Sequence, residues 1–425
     1  MTFINGVRTK RTISTKTTTS GVDYSVIGLV GTAPIQTVEE ENRTINKPVL
    51  VTNKEEGVKY FGNAIAGENY TIPDALEAIY NQVDSAKVIV INVFDPTTHT
   101  ATVTTEEENE NEITTTAPSP SAVTANDIKG EIKIDGTRTG IEALYNAQVE
   151  CKYKPKILIA PYYSSQKAVG NALETIANKF KARAYTDPQS GLTRAQAISE
   201  RGENGTSTAS IFDAKVEHLY PNVKVYNTKT EEYEIRPISP YAAGVRVATN
   251  SEHGLHYSIG NQKINGIDGL ETPIYFDLQD ENSDSNLLNA QGYTTVIYDG
   301  GYRFWGNRNS SFPDNENVNS FSNVEDVADY IDESIALGSR QFMSGPINQS
   351  TIDDIVNYGL SFMGNLKEKK WLIGYDCWFD PKKNDYQNLA AGKLKITRKF
   401  LVPTPLEELE YESDIDITLY ENIYE

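Results

Sequence analysis

Two stretches of the chain alternate apolar runs with amphipathic segments, and this rhythm constrains the fold more than any other feature. In the first stretch, the apolar runs at 26–31 and 87–94 flank a segment that begins at Pro73 and carries apolar residues at helical spacing. Both runs are apolar on both faces, as expected of strands that helices cover on each side of a sheet. The second stretch repeats the alternation from Ile141 to Asp187. The order strand, helix, strand predicts an α/β fold.

A segment of different composition interrupts this rhythm. Threonine and glutamate dominate between 97 and 140, with an acid-rich run at 106–112. Such a segment buries little apolar surface, so it predicts a small β-rich insertion on the surface. The acid-rich run lacks the alternating ligands and the glycine of a calcium loop, and is typical of a solvated loop. We therefore assign residues 23–96 and 141–290 to one mixed α/β core domain that carries the insertion.

Beyond Gln291 the pattern changes. Two strands around a Gly-Gly turn are followed by two amphipathic helices and two further strands. This succession predicts a second domain of α+β class over residues 291–406.

The two ends of the chain carry opposite charge and are predicted to be extended arms. Residues 1–22 contain four bases and no acid, whereas residues 407–425 contain eight acids and no base. Polar and apolar residues alternate at 414–419, which predicts a half-buried strand. The arm residues singled out are Arg8, Lys10, Arg11 and Lys16 at one end and Asp414, Ile415, Asp416, Ile417 and Leu419 at the other. Arms that pair with each other, arms that reach different neighbours, and two solvated tails remain alternatives.

The overall charge narrows the classes of partner. The chain has 39 Lys and Arg against 59 Asp and Glu, a net charge of −20. Nucleic-acid partners demand a basic surface, so we expect none. No apolar run approaches the ~18 residues of a spanning helix, so we expect no membrane insertion. Residues 367–399, here called the basic block, carry nine bases and four acids. An acidic protein partner and a plain solvated face are the two interpretations of this block.

No catalytic constellation can be assembled from the sequence. His253-Gly-Leu-His256 and the Gly-Thr-Ser-Thr-Ala run around Ser207 resemble the histidine and nucleophile motifs of subtilisin-like proteases. In those proteases the histidine precedes the serine, and here the order is reversed and the aspartate motif is missing. The two histidines also lack a third metal ligand in register. Gly28-Leu-Val-Gly31 lacks the lysine of a phosphate loop and the third glycine of a dinucleotide fingerprint. We therefore expect neither catalysis nor a cofactor.

Several short motifs, taken in order, resemble those of contractile bacteriophage tail sheath proteins. The resemblance begins with VIGLVGTAP at 26–34 and PDALEAIY at 73–80, and continues with SPYAAG at 239–244. Its most specific parts are GYRFWGNR at 301–308 and the C-terminal block LAAGKL at 389–394, which leads to a Pro-x-Pro-Leu-Glu run. Together the motifs extend over nearly the whole chain, and only the Thr/Glu insertion matches nothing in the family.

The resemblance implies a structural protein whose core has subtilisin-like topology without the triad. Subunits of the family stack as six-fold rings around a tail tube, and the terminal arms add strands to sheets of neighbouring subunits. The helical stack contracts when the baseplate triggers it and drives the tube through a target envelope. The implied partners are further copies of the chain, the tail tube protein, and the baseplate and tail terminator proteins. The implied location is the virion tail, assembled in the host bacterial cytoplasm. Alternatives are the sheath of a phage-derived bacteriocin or injection machine, and a serine hydrolase of subtilisin-like fold.

A sheath must release its tube when it contracts, and this requirement suggests which residues face the tube. Exposed ion pairs suit it, because each is worth only ~0–1 kcal/mol and is screened by salt. A predicted helix ends at 366–370 with several cations in its last turn, where the helix dipole favours them. We therefore predict that Lys367, Lys369 and Lys370 face an acidic stripe on the tube, with Lys393 and Lys395 as the second choice.

Overall fold

The computed structural model of the 425-residue chain describes residues 22–65, 67–106, 112–202, 204–228 and 230–423. The bases predicted in the N-terminal arm lie outside this described part, namely Arg8, Lys10, Arg11 and Lys16. Across the described residues, every helix is too short or too polar to span a lipid bilayer.

The described residues form fifteen strands and eleven α-helices, joined by loops and short 3-10 turns. The strands are β1 (Val26–Gly31), β2 (Val49–Val51), β3 (Lys87–Asn92), β4 (Thr100–Glu106), β5 (Glu112–Pro118), β6 (Ile157–Ile159), β7 (Arg183–Thr186), β8 (Val216–Leu219), β9 (Val223–Asn227), β10 (Glu232–Arg236), β11 (Gly269–Leu270), β12 (Tyr293–Tyr298), β13 (Tyr302–Trp305), β14 (Gly374–Phe379) and β15 (Ile396–Leu401). The α-helices are α1 (Lys54–Phe61), α2 (Thr71–Tyr80), α3 (Ala125–Lys129), α4 (Ala147–Glu150), α5 (Lys167–Phe180), α6 (Arg194–Glu200), α7 (Ser239–Glu252), α8 (Asp284–Asn289), α9 (Ser322–Ser339), α10 (Gln349–Glu368) and α11 (Tyr386–Ala390).

One large sheet organises the core. Its eight strands lie in the order β13-β12-β8-β7-β6-β1-β3-β2. All neighbours from β12 to β3 are parallel, and the edge strands β13 and β2 are antiparallel. In the register of β1, Val26 lies opposite Lys87 and Ile27 opposite Ile157. Every residue of β1 is buried, because strands flank it on both sides and helices cover both faces. The predicted α/β class is confirmed.

Two glycines of β1 allow close packing on the two faces of the sheet. A Cβ atom at Gly31 would lie 2.2 Å from Oγ1 of Thr71, at the start of α2. A Cβ atom at Gly28 would lie 3.0 Å from Cβ of Pro155 and 3.3 Å from a methyl carbon of Leu144, on the opposite face. The glycines therefore serve packing within a strand, and β1 runs through Gly31 where a phosphate loop would have to turn.

The predicted insertion over 97–140 is longer than the appendage in the structure. Strands β4 and β5 form a separate antiparallel pair, with Thr100 opposite Pro118. After this hairpin the chain returns to the core, where Val123 and Ile128 are buried and α3 packs against α5. These two apolar residues lie among polar neighbours, so composition alone places them in the insertion. The parts that stand apart from the core are the β4–β5 hairpin and the exposed turn at 131–137.

The predicted boundary between residues 290 and 291 is also wrong. Strand β12 pairs in parallel with β8, placing Tyr293 opposite His218, and β13 pairs with β12. The hairpin therefore extends the core sheet. A strand pair looks the same in sequence whether it extends an existing sheet or begins a new one, so the sequence pattern does not decide this point.

The C-terminal module, defined here as residues 322–406, comprises α9, α10, α11 and the β14–β15 pair. Strands β14 and β15 are antiparallel and form a two-stranded sheet, with Gly374 opposite Leu401 at one end and Phe379 opposite Ile396 at the other. Helix α10 packs on this pair and α9 packs on α10. The module contributes most of a second apolar cluster, which Tyr24 and Leu255 of the core also join; its residues in the module include Val327, Ile331, Phe362, Met363, Leu366 and Cys377.

The strand predicted at 414–419 is not present in the structure. Residues 411–416 have no regular structure, and Ile417–Ile423 is a 3-10 helix. The backbone N–H of Leu419 donates to the carbonyl of Asp416, which is a local hydrogen bond of the helical turn and not a bond between strands. A strand needs a neighbour for its backbone groups, and residues 406–423 are exposed throughout. In the described part of the chain, no strand lies beside this segment to pair with it.

Candidate functional site

The residues that resemble a protease site are not brought together. Ser207 is buried and its hydroxyl accepts a hydrogen bond from the backbone N–H of Ala209. His253 follows α7 and stacks on Tyr257, and His256 stacks on Trp371 with ring centroids 5.6 Å apart. In the part of the chain that the structure describes, no hydrogen bond joins the serine to either histidine, and no His, Cys, Asp and Glu group suits a metal.

The carboxyl edge of the parallel strands, where α/β enzymes bind their ligands, carries a carboxylate that makes structural hydrogen bonds. Asp187 follows β7 and accepts hydrogen bonds from the hydroxyl of Ser164 at 2.6 Å and from the backbone N–H and hydroxyl of Ser239 at 2.7 and 2.8 Å. Burial raises the pKa of Asp187, and the three donors oppose that shift. The carboxylate therefore ties α7 to the sheet.

The opposite, amino edge of the strands carries the densest charge in the described structure. There α9 lies across the starts of β6, β7 and β8, and seven basic side chains meet six carboxylates within 4.0 Å. We call this layer the seam. Its bases are Lys154, Lys156, Lys181, Arg183, Lys215, Arg246 and Arg398, and its acids are Glu217, Glu325, Asp326, Asp329, Asp332 and Glu333. The seam joins the C-terminal module to the core.

The centre of the seam is one carboxylate shared by two arginines. Asp326 of α9 accepts from Arg183 of β7 at 2.6 and 3.1 Å, and from Arg246 of α7 at 3.1 Å. The guanidinium of Arg183 also donates to the carbonyl of Ser322 at 2.9 Å, at the first residue of α9. All three charged side chains are buried. Their mutual pairing offsets the cost of taking three charges out of water.

Further along α9 the same face continues to bind bases. Lys215 pairs with Asp329, and Asp332 binds Lys181 and Arg398, each at 2.9 Å. Burial would raise the pKa of Asp332, but the two bases outweigh that effect and the pKa is lowered. Burial raises the pKa of Asp329, against the opposing effect of Lys215. The acid face therefore binds the core along residues 325–333, half the length of α9.

The sequence contains a signal for the seam that apolar periodicity overlooks. The acids of α9 recur at 325, 326, 329, 332 and 333, which places them on one side of the helix. Apolar periodicity alone identifies only the other face, which packs in the C-terminal module. An acid stripe beside an apolar stripe on one helix indicates that both faces are covered.

Val22 and Tyr24, at the start of the described part of the chain, lie beside the second half of α9. The hydroxyl of Tyr24 donates to Glu333 at 3.4 Å, and the Tyr24 ring packs edge-on against Tyr330 with centroids 5.6 Å apart. Lys156, paired with the same Glu333, lies 4.6 Å from the centroid of the Tyr24 ring. Burial lowers the pKa of Lys156 to about 8, although Glu333 opposes this. We call this group of contacts the N-root.

The C-terminal arm leaves the fold beside the start of α9. Arg308 forms two hydrogen bonds to the Glu407 carboxylate, Nη2 to Oε2 at 2.7 Å and Nε to Oε1 at 3.1 Å. The Arg308 guanidinium carbon lies 3.6 Å from the centroid of the Phe321 ring, directly before α9. Asn323 donates to the carbonyl of Pro403 at 3.4 Å. We call this group of contacts the C-root.

The two lysine sets proposed to face the tube lie apart from each other. Lys367, Lys369 and Lys370 are exposed where α10 ends, next to the start of β14. Lys393 and Lys395 are exposed where β15 begins, which is opposite the end of β14. At ~3.3 Å per residue, the length of β14 separates the two sets by roughly 17 Å. Arg398, in the same basic block, is bound in the seam and adds nothing to this exposed charge.

Comparison with known proteins gives consistent matches. The family model described as the phage tail sheath protein central domain matches residues 121–310. A tail sheath protein of Burkholderia phage BcepMu is 35% identical, covering 97% of this chain and 97% of its own length. The tail sheath protein of Escherichia phage P2 is 28% identical, covering 92% of this chain and 90% of its own.

Solved structures share the fold at low sequence identity. The helical sheath of the anti-feeding prophage in its contracted state has a TM-score of 0.65 at 16% identity, covering 98% of this chain and 100% of that chain. The sheath complex of an extracellular contractile injection system, PVC, in its contracted state has a TM-score of 0.66 at 12% identity, covering 98% and 99%.

Proposed function

This chain belongs to the phage tail sheath protein family and is a tail sheath subunit, and from that premise we propose how it works. The subunits polymerise as stacked six-fold rings around a tail tube and contract to drive the tube through a target cell envelope. Their partners are further copies of the chain, the tail tube protein, the baseplate and the tail terminator. The virion tail is assembled in the host bacterial cytoplasm before it acts.

One observation carries the assembly proposal, namely the unburied apolar side chains of the C-terminal arm. Among residues 406–423, eight large apolar or aromatic side chains are at least 60% exposed. They are Leu406, Leu409, Tyr411, Ile415, Ile417, Leu419, Tyr420 and Ile423. Three clusters form the apolar core of the described residues, and eight exposed side chains within eighteen residues make this segment the densest exposed apolar stretch, which is left for a partner to cover.

The β14–β15 pair supplies an acceptor of the right kind. In the described part of the chain this sheet has two strands, so both of its outer edges present unpaired backbone groups. An arm of a neighbouring subunit that extends along such an edge gains ~0.5–1.5 kcal/mol net per hydrogen bond. A six-residue strand then holds neighbours by several kcal/mol while the globular bodies stay able to rotate. We propose that the 414–419 pattern becomes a strand at this step.

Electron microscopy of the purified protein tests the proposal directly. We expect rings or tubes, formed alone or on added tail tubes. A protein that stays monomeric in both conditions would contradict it. A phage tail and an injection machine differ in whether purified particles carry packaged DNA, and the relatives that match at 28–35% identity include three phage proteins and one putative prophage protein.

We propose a role without catalysis, and three substitutions test this. Ser207→Ala, His253→Ala and His256→Ala should each leave tube assembly unchanged in sedimentation assays, because each side chain makes only packing or local hydrogen-bond contacts. An active-site serine probe should not label the protein. A well-folded His253→Ala protein that fails to assemble or contract would revive the hydrolase alternative.

We propose that Lys367, Lys369 and Lys370 contact the tube. Changing all three to glutamine should weaken tube-templated assembly and leave tube-free polymerisation intact. Exposed pairs give ~0–1 kcal/mol each, so raised salt should reproduce the loss in the wild type. The matched control is the Lys393→Gln, Lys395→Gln protein, whose lysines lie at the other end of β14. If the wild type and the triple variant bind tubes equally at low ionic strength, the three lysines form only a solvated face and do not contact the tube.

A further inference from the structure

Two motifs of the sequence meet in the structure at one ion pair. Arg308 ends the GYRFWGNR run, and Glu407 ends the Pro-x-Pro-Leu-Glu run. Nη2 of Arg308 donates to Oε2 of Glu407 at 2.7 Å, and Nε donates to Oε1 at 3.1 Å. We call this pair the latch. It joins the body of the subunit to the first residue of the C-terminal arm.

The guanidinium of Arg308 is held in place by contacts other than Glu407. Its carbon lies 3.6 Å from the centroid of the Phe321 ring and 4.8 Å from that of Phe312. Its third nitrogen, Nη1, donates to the hydroxyl of Ser320 at 2.6 Å. These contacts leave two donors of fixed direction for the carboxylate, and a two-point bond restricts direction as well as distance. The latch therefore differs from an ordinary surface ion pair, whose long side chains must first be ordered.

Glu407 is the last point at which the body of the subunit holds the arm. In the described part of the chain, no other hydrogen bond or ion pair joins residues 407–423 to the rest of the fold. The nearest earlier attachment is Pro403, whose carbonyl accepts from Asn323 at 3.4 Å, directly after the buried Val402. The free arm therefore begins at Glu407 when the latch is closed and at Pro403 when it is open.

The latch thus sets the length of free chain before the strand pattern at 414–419. Seven residues lead from Glu407 to Asp414, and eleven lead from Pro403 to Asp414. At ~3.3 Å per residue these segments reach at most ~23 Å and ~36 Å. The effective concentration of a tethered segment at its site falls with about the −3/2 power of tether length. A closed latch should therefore raise this concentration about twofold.

We propose that the latch shortens the free C-terminal arm and so strengthens its binding to a neighbouring subunit. Arg308 and Glu407 are then positioning residues, which act through the arm without touching the neighbour. The inference rests on the proposed function, in which this arm binds a further copy of the chain. It also limits the geometry of the assembly, because the acceptor on the neighbour has to begin within ~23 Å of Glu407.

The critical concentration for tube assembly, measured by sedimentation, tests the role of the ion pair. Glu407→Gln opens the latch and should raise the critical concentration about twofold. Arg308→Lys keeps the charge but loses the two-point bond, so it should have the same effect. The matched control is Glu408→Gln, an exposed acid next to the latch, which should assemble as wild type. The two glutamine variants should melt at the wild-type temperature, because both residues are exposed.

A change of arm length tests the mechanism without touching the latch. Four Gly and Ser residues inserted between Glu407 and Glu408 lengthen the free segment from seven to eleven residues, and should also raise the critical concentration about twofold. The same insertion in the Glu407→Gln protein gives fifteen free residues and an increase of about threefold over wild type. The control carries the four residues appended to the C-terminus and should assemble as wild type.

The outcomes separate this inference from the proposed function. An insertion that leaves the critical concentration unchanged or lowers it would overturn the inference, and so would a Glu407→Gln protein that behaves like its control. A wild-type protein that forms no tubes, or normal tubes from a protein that lacks residues 407–425, would instead overturn the proposed role of the arm.

Discussion

Removing residues 407–425 is expected to abolish tube formation while leaving a soluble subunit that melts cooperatively. The described part of this arm is exposed throughout, so the fold loses little more than the bond between Arg308 and Glu407. The assembled sheath, in contrast, would lose the proposed added strand and the proposed burial of the exposed apolar side chains at every subunit contact. These losses multiply along the polymer. Deletion of residues 1–20 is expected to have the same outcome.

Circular dichroism melts and negative-stain electron microscopy measure the two halves of this expectation. The Tyr411→Ala protein is a graded control, because it removes one exposed ring and keeps the rest of the arm. Tubes of normal length from either deletion would show that the arms do not mediate assembly. An unfolded deletion protein would show that the arm belongs to the fold.

Asp326→Asn is expected to cost the subunit ~3–5 kcal/mol of unfolding free energy, because it leaves buried bases without their partner. Arg183 and Arg246 are 2% and 3% exposed, and Asp326 is the carboxylate that binds both. Such a loss is a large share of the ~5–15 kcal/mol by which proteins are usually stable.

Urea denaturation with an unchanged slope would measure this loss. The control is Asp376→Asn, which removes an exposed pair with Lys399 at 3.9 Å and should cost only ~0–1 kcal/mol. An equally small loss for Asp326→Asn would mean that the seam contributes little to joining the module and the core.

The core strands were predictable because continuous apolar runs in the sequence are enough to identify strands that are buried on both faces. β1 and β3 read as strands from their apolar runs, and α5 and α9 from apolar residues on one face. What the sequence did not yield depends on partners distant in the chain. β12 joins the core only because β8 lies beside it, and the acids of α9 have meaning only opposite the bases of β6, β7 and β8.

The candidate sites follow the same rule. Arg308 lies in the most specific motif of the sequence, but its bond to Glu407 joins residues 99 positions apart and has no local signature. The strand pattern at 414–419 is a property of the arm that a single subunit does not realise. The two lysine sets belong to the same basic stretch of sequence, but they lie at opposite ends of the β14–β15 strand pair.

Because the seam is nearly neutral, the net charge of the subunit lies elsewhere, and this charge affects how free subunits repel one another. Its seven bases and six acids almost cancel, so the net charge of −20 belongs to the rest of the chain. Like-charged subunits repel one another within about a Debye length, ~8 Å at physiological ionic strength. This repulsion opposes association of free subunits in solution. Added salt should therefore have two opposite effects, because it weakens the proposed lysine contacts to the tube and also lowers the repulsion that opposes polymerisation without a tube. We therefore expect an intermediate ionic strength at which sheaths grow on a tube and do not polymerise without one.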